Sequence, residues 1–406
     1  MKLLYICQHF AFPHQPNGTR AYDLSTSFLK KGIDVTIITT NNSIPELKGN
    51  KGWGYIEIDG LKIHALNCPY AQTMNFKQRI VSFFKFFIQA SRKSLSIKAD
   101  LVLATSTPLT VGIPALVKKF FCGTPFIFEV RDVWPEVPIK MGILRNKSFN
   151  WLLKKLEKCI YKKSSAIVPL SVGMKKNILS RISLTDKKIV IIPNISEVNR
   201  FAKVLDNPEQ LFPFDTAGKK IVLYCGTMGM VNGIDYLVDL AEETQALDSS
   251  IVYCIFGEGK ELRNILKKAK EKKILEKTFF YGGKIAKDKL PSLYSLATVG
   301  SSFVIDIPVL WDNSANKFFD TLAAGKPILI NHGGWQADII KENKCGYVLS
   351  PQVTSEEAKE FVQFMQNKDL IKYCGEQAYK LAIERYTLPI AVGKYINLFN
   401  YVQGWN

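Results

Sequence analysis

Along the whole chain, short runs of consecutive apolar and β-branched residues alternate with stretches whose apolar positions recur every three to four residues. In the first half the apolar runs predict strands at 3–7, 34–40, 101–105, 125–130, 166–170 and 188–192. An antiparallel pair at 55–58 and 61–66 turns at Asp59-Gly60. A second series begins at 220–225 and continues at 250–256, 278–281, 299–304, 327–331 and 346–349. Helical patterns between strands are the mark of βαβ units and parallel sheets. No fixed-period repeat is visible. Segment 193–215 has no clean period and carries three prolines, as a linker does. The pattern therefore predicts an α/β chain of two Rossmann-like domains, 1–198 and 199–386, facing each other across a cleft. Ligands are expected at the C-terminal ends of their strands.

Length and composition support this picture. A chain of 406 residues suits two cores of about 200 residues each, and 47% hydrophobic with 22% charged residues is ordinary globular composition. The eight cysteines lie scattered in apolar stretches with no CxxC, and read as reduced core residues. The start, MKLLYICQHF, lacks the apolar core and cleavage site of a signal peptide, so the expected location is the cytoplasm.

Charge adds something the pattern does not. The net charge is +18, and residues 1–200 hold 30 Lys and Arg against 12 Asp and Glu, whereas the rest of the chain is balanced at 24 of each. Such asymmetry predicts a polyanionic partner for the first half, nucleic acid or anionic lipid, or else a plain solvated surface. No apolar run reaches the roughly 20 residues needed to span a bilayer, so membrane contact is expected from one side only. The candidate is 76–93, where Ile80, Phe83, Phe84, Phe86 and Phe87 are mixed with Lys77, Arg79, Lys85, Arg92 and Lys93. A core-facing helix with a basic outer face fits the same residues.

Candidate chemistry gathers at glycine-bearing loops. Gly18 precedes a helix start, where backbone N–H groups and the helix dipole favour an anion, with Arg20 a possible charge partner. There is no GxGxxG, which argues against a dinucleotide cofactor. In the second half, Gly226, Thr227, Gly229 and Gly233 form a strand–loop–helix junction suited to a diphosphate. FGEG, containing Glu258, is a place for a base or ribose, and the backbone at Tyr281 in YGG could read a pyrimidine edge. Ser314 and Asn316 open a helix with Lys317 adding positive charge. Asp320 follows on the same face, placed to accept ribose hydroxyls. Each loop taken alone also reads as ordinary helix capping and turn geometry.

NKFFDTLAAGKPILI resembles the donor-site helix of glycosyltransferase family 4, and EVRDVWPE (129–136) is similar to the signature of its fucosaminyltransferase-like (WbuB-like) subgroup. GTMGMVNGIDYL, GEG and YGG follow the same order along the chain. The resemblance implies a GT-B fold, a C-terminal helix (387–406) crossing back to the first domain, and transfer with retention of anomeric configuration. It implies a UDP-sugar donor, held mainly by the second domain and carrying an N-acetylated deoxyhexosamine such as N-acetyl-L-fucosamine. The implied acceptor is a polyprenyl-diphosphate-linked saccharide in O-antigen or capsule assembly. By position, Gly18 matches the glycine loop facing the donor, Lys317 the lysine that neutralises diphosphate, and Asp320 the acid that holds ribose. Arg131, Asp132 and Glu136 match the motif facing the transferred sugar or its acceptor. The family's paired glutamates appear as Asp312 and Asp320. Arg131 stands where many relatives carry His, and no basic residue follows Gly226.

Transfer needs a stabilised leaving diphosphate, which helix N-termini and Lys317 can supply. No DxD appears and the four histidines have no ligand spacing, so metal-independent transfer is expected, with no cofactor beyond the donor substrate. A basic first domain fits peripheral docking on the inner face of the plasma membrane. A GT-B sugar-nucleotide 2-epimerase is the main enzyme alternative, disfavoured by RDVWPE. A nucleic-acid-binding protein would instead show aromatics interleaved with basic loops and a steep salt dependence.

Overall fold

The computed structural model describes every residue except 16–17, 48, 70–73, 75, 185–187 and 405–406, and leaves out the side chains of Phe76 and Lys77. Part of the Gly18 loop and the Lys77 side chain, both named above, thus lie outside the described residues. By contacts the chain divides into two units. The first is Met1–Phe12, Gly18–Pro193 and Leu388–Asn406; the second is Pro13–Asn17 and Asn194–Thr387.

The first unit is built on β1 (Lys2–Cys7), β2 (Asp34–Thr40), β3 (Trp53–Ile58), β4 (Leu61–Leu66), β5 (Leu101–Thr105), β6 (Phe126–Val130), β7 (Ala166–Pro169) and β8 (Lys188–Ile189). They form one sheet in the order β3-β4-β2-β1-β5-β6-β7-β8, parallel except for the β3–β4 hairpin. Leu3 pairs with Val35 on one side and Leu101 on the other. Strands β5 and β6 are buried at every residue. Such strands must be apolar on both faces, which is why LVLAT and FIFEV read as unbroken runs. The helices are α1 (Arg20–Lys30), α2 (Phe76–Ser96), α3 (Gly112–Cys122), α4 (Glu136–Lys140), α5 (Lys147–Lys163) and α6 (Val172–Arg181), each crossing between strands. The chain steps from β1 to β2 on one side and to β5 on the other, so the switch point lies at β1/β5, at the C-terminal strand ends.

The second unit holds β9 (Lys220–Cys225), β10 (Ile251–Phe256), β11 (Phe279–Tyr281), β12 (Val299–Ser301), β13 (Ile328–Ile330) and β14 (Gly346–Val348) in the order β11-β10-β9-β12-β13-β14. All five pairings are parallel, and the switch point is β9/β12. Its helices are α7 (Val198–Phe201), α8 (Asp235–Gln245), α9 (Leu262–Glu271), α10 (Leu290–Leu296), α11 (Asn316–Ala323), α12 (Trp335–Asn343), α13 (Ser355–Gln366) and α14 (Lys368–Arg385). The last helix, α15 (Leu388–Gln403), belongs to the first unit. Strand β12 stops at Ser301, although the apolar run continues to Val304, because Val304 bonds to the Asn331 side chain rather than to a strand.

The apolar stripe of 76–93 is divided by the fold. Phe86 and Ala90 are fully buried in the core, whereas Val81, Phe84 and Ile88 remain outside. The core-facing reading of α2 therefore accounts for its central phenylalanine, worth about 1.5–3 kcal/mol of burial. Among the described residues no helix is long and apolar enough to cross a membrane.

Candidate active site

In the second unit, three glycine loops meet at the C-terminal ends of β9, β10 and β11. The N–H of Gly226 donates to Phe256 O at 2.9 Å and that of Met228 to Glu258 O at 2.8 Å, while Glu261 N–H returns to Met228 O at 3.0 Å. A Cβ on Gly257, whose φ is +133°, would stand 2.0 Å from Gly226 O, and one on Gly259 would stand 2.1 Å from Met228 O. The glycines of FGEG are thus required so that two loops can lie backbone against backbone. Gly282 is required in the same way by the Phe256 ring, 2.1 Å from its hypothetical Cβ. The amides of Gly226 and Met228 are consequently spent within the protein and do not point at a diphosphate.

Thr227 is anchored through its carbonyl, which accepts from Tyr224 Oη at 2.7 Å. Gly229 caps a 3₁₀ turn, its carbonyl accepting from Asn232 N–H at 3.0 Å. Tyr281 donates its hydroxyl to Gly257 O at 3.0 Å, and Glu258 pairs with Lys284 in an exposed contact. The loop also borders a cleft of about 530 Å³ shared by Gly229, Gly233, Asp235 and Asp306, but neither Lys317 nor Asp320 lines it.

The charged groups converge on α11. Its N-cap residue is Ala315, which offers no side-chain cap, so the first N–H groups of the helix keep their positive end. Phe318 and Phe319 are fully buried and fix which way the helix turns its polar face. Lys317 is half-buried, its Nζ 3.3 Å from Asn232 Oδ1 and 5.0 Å from the Tyr224 ring centroid. A Cβ on Gly226 would come within 3.3 Å of that ammonium, so the glycine loop and Lys317 are in direct apposition. Burial pushes the Lys317 pKa down to about 8, against the opposing pull of Asp320. Asp320 accepts from Lys287 Nζ through both oxygens, at 2.6 and 2.5 Å, and the two side chains are only 8% and 10% exposed. The backbone N–H of Lys287 donates to Gln15 O at 3.1 Å.

Around the start of α11 the polar groups are unevenly satisfied. The Ser314 hydroxyl and carbonyl accept from the Asn194 backbone and side-chain nitrogens, at 3.4 and 2.5 Å. Gln336 Nε2 donates to Asn313 O at 3.2 Å. Yet Asn194 Oδ1, Asn313 Oδ1, Gln336 Oε1 and Trp311 Nε1 are buried without a hydrogen-bond partner. A ligand rich in hydroxyl or amide groups would satisfy such atoms. Asn316 is half-buried in the first turn of α11, and Asp312 is half-buried on the loop that leads into it. Asp312 is not brought into the Lys287–Asp320 pair.

In the first unit, the EVRDVWPE segment leaves the end of β6. Glu129 is fully buried and accepts from Arg20 Nε at 2.9 Å, and from the hydroxyls of Thr105 and Tyr395. Burial would raise the Glu129 pKa, but Arg20 first and then Arg131 hold it below the usual value. Arg20 directs three further donors at Pro193 O at 2.7 Å, Ile192 O at 3.0 Å and Tyr395 Oη at 3.3 Å. The sequence makes Arg20 a possible charge partner for an anion, and Glu129, which ends an apolar strand ahead of the RDVWPE motif, reads either as orienting substrate or as structural. The structure corrects the first and decides the second, because this closed buried network leaves neither group for a ligand.

Arg131 is half-buried, its N–H bound to Ser106 Oγ at 2.9 Å. Burial, then Arg131 and Arg79, bring the His9 pKa down to about 4. Asp132 accepts from the Thr107 hydroxyl, and Trp134 N–H donates to its carbonyl at 3.0 Å. Glu136 opens α4, 15% exposed and 3.9 Å from Lys140. Gly18 is exposed just ahead of α1. Arg131 and Asp132 thus share the C-terminal strand edge, whereas Glu136 begins the helix beyond it.

Sequence reasoning missed Lys287 and the Asn194, Trp311, Asn313 and Gln336 group. The one signal for Lys287 is indirect: a carboxylate predicted on the inner face of a helix demands a cation, and KIAKDK offers one.

Comparison with known proteins bears on both units. Residues 18–200 match the family model Glycosyltransferase Family 4, and residues 206–381 match Glycosyl transferases group 1. The poly(ribitol-phosphate) alpha-N-acetylglucosaminyltransferase of Staphylococcus aureus (strain COL) is 24% identical over 253 residues, covering 61% of this chain. The match spans only about half of that relative's own length, 47%. Among solved structures, the sucrose-phosphate synthase of Thermosynechococcus elongatus superposes with a TM-score of 0.79 at 13% identity, covering 100% of both chains. Anabaena Alr3699/HepE, solved in complex with UDP and glucose, superposes at 0.72 with 12% identity over 99% of this chain and 100% of its own. Two parallel-sheet α/β units with a helical C-terminus, each matched to its own family model, have one common reading: the chain has the GT-B fold and belongs to the glycosyltransferase family 4 superfamily.

Proposed function

We propose that the protein transfers a sugar from a UDP-sugar to a polyprenyl-diphosphate-linked saccharide in cell-surface polysaccharide assembly, such as O antigen or capsule. Anomeric configuration is retained and no metal takes part. The observation that carries the reading is the group on α11: an uncapped helix start, Lys317 against the Gly226 loop, and a buried Asp320 three residues on. A nucleoside diphosphate fits this group. Its phosphates meet the helix end and Lys317, and its ribose hydroxyls donate to Asp320. As the bond to the anomeric carbon breaks, charge grows on the leaving diphosphate, and fixed dipoles with one ammonium stabilise it without reorganisation. The orphaned atoms of Asn194, Trp311, Asn313 and Gln336 would take the hydroxyl and amide groups of the transferred sugar.

On the first unit, Arg131 and Asp132 are assigned to the acceptor. Glu136 joins them through the same motif, Gly18 and Asp312 take the donor-side places the resemblance implies, and Glu258 and Tyr281 keep the base and ribose places read from their loops. A leaving phosphate oxygen can receive the acceptor's proton, so a strong protein base is not required. The cell-surface setting draws on the S. aureus relative, named for adding N-acetylglucosamine to poly(ribitol phosphate), and UDP on the neighbour solved with it. Resemblance of EVRDVWPE makes N-acetyl-L-fucosamine the leading donor sugar. The test is release of UDP from a panel of UDP-N-acetylamino sugars with a polyprenyl-diphosphate disaccharide acceptor, with and without EDTA. Acceptor-dependent turnover unaffected by EDTA supports the proposal. Inhibition by EDTA relieved by Mn²⁺ removes the metal-free mechanism, and interconversion of the donor without transfer would make the protein an epimerase.

A further inference from the structure

The sequence offers 76–93 as a candidate interfacial helix or a core-facing one, but the fold exposes a different face of the interfacial kind. In α5 the only carboxylate is Glu157, which is buried and paired with Arg181 at 2.8 Å. Every other charge on that helix is a lysine; Lys147, Lys154, Lys155 and Lys158 are exposed along one side. Trp151 on that side is 58% exposed, Leu152, about 100° further round the helix, is 56% exposed, and Ile143, in the turn before the helix, is 47% exposed. Spacings of three and four place 147, 151, 154, 155 and 158 in one stripe. Lys155 Nζ sits 3.7 Å from the Trp151 ring centroid, so the indole and the cation present themselves together.

From the end of β6 the chain passes through α4 and then α5 to β7, which runs parallel to β6, so α5 is part of the crossover that returns from the C-terminal strand ends. Protein interfaces deplete lysine at their cores, and a water-facing helix gains nothing from an exposed Trp-Leu pair. An anionic bilayer satisfies both: the indole and leucine enter the headgroup boundary, and the lysines meet lipid phosphates while their stems cover apolar surface.

We propose that the outer face of α5, with the turn before it, docks the protein on an anionic bilayer. The inference rests on the proposed lipid-linked acceptor. Flotation of the full-length protein with phosphatidylglycerol-containing vesicles, against phosphatidylcholine vesicles, tests it. Wild-type protein is expected to float with the anionic vesicles at low salt. Trp151→Ser with Leu152→Ser should lower partitioning about tenfold, and Lys154→Glu with Lys155→Glu should lower it further and flatten the salt dependence. Stabilisation by UDP, measured in parallel, should match wild type in both variants and shows that they fold. Variants that partition like wild type overturn the inference, as does a loss confined to Val81→Ser with Phe84→Ser in α2. Wild-type protein that ignores vesicles but retains single-stranded RNA overturns it too. A missing UDP response, by contrast, would strike the donor proposal and leave the flotation result standing.

Discussion

At the scale of single residues, the informative fact is that the first turn of α11 carries a cation the fold does not want. With its pKa pushed down to about 8 by burial, the Lys317 ammonium is held at a cost in the free protein. The unfolded chain keeps this proton to higher pH than the folded one, so stability should rise as pH climbs from about 8 towards the ordinary lysine value. Lys317→Met is expected to stabilise the free protein by about 1–3 kcal/mol at pH 7 while weakening UDP binding at least tenfold. Thermal melts with and without UDP check both signs. For wild type, UDP affinity should also fade above about pH 8, and the variant should lack that dependence. Lys287 makes a complementary case, because it grips both oxygens of the acid assigned to ribose. Lys287→Met should lower affinity for UDP several-fold but leave 2′-deoxy-UDP little changed. Equal losses for the two nucleotides would mean that Lys287 serves only the fold.

At the scale of elements, the strands were legible because parallel strands buried on both faces have to be continuous apolar runs; β5, β6 and β10 are buried throughout. The glycine motifs were legible as loops but not in their causes. Gly257 and Gly259 answer to the carbonyls of Gly226 and Met228, partners some thirty residues away that pattern alone cannot supply. Gly257→Ala forces a positive φ and a 2.0 Å approach to Gly226 O, and should cost about 3 kcal/mol or more. Chemical denaturation of that variant beside Gly283→Ala makes the comparison, since Gly283 shares a positive φ but meets nothing within 4 Å. The Gly257 change should be the more damaging. The stripe in α2 was visible too, but a period of 3.6 does not say which side of a helix faces the sheet, and Phe86 lies inward while Phe84 does not.

At the scale of the whole molecule, two units each made of a parallel sheet follow from chain length and alternation, whereas what ties the chain ends into the first unit does not. Arg20, Glu129 and Tyr395 come from α1, the end of β6 and α15, and meet in one buried network that also takes the carbonyls of Ile192 and Pro193. No local signal joins positions 20, 129 and 395. Removing one partner leaves a buried charge unmatched, so Glu129→Gln should destabilise the protein by about 3–5 kcal/mol without changing UDP affinity per folded molecule. Denaturant titration and UDP titration of the same sample separate the two. Asp132→Ala should do the reverse, lowering turnover by orders of magnitude with stability and UDP affinity retained.

The central claim is that the start of α11, with Lys317 packed on the Gly226 loop and Asp320 one turn on, holds a uridine diphosphate. Thermal denaturation of the intact protein with UDP, GDP, dTDP or CMP, each with and without EDTA, tests it most directly. UDP alone should stabilise, by about 2.7 kcal/mol at a hundredfold excess over Kd, irrespective of EDTA, and Lys317→Met should cut the effect at the same UDP concentration by about half or more. Stabilisation by GDP in place of UDP would contradict the donor assignment, and no response to any nucleotide would contradict the site itself.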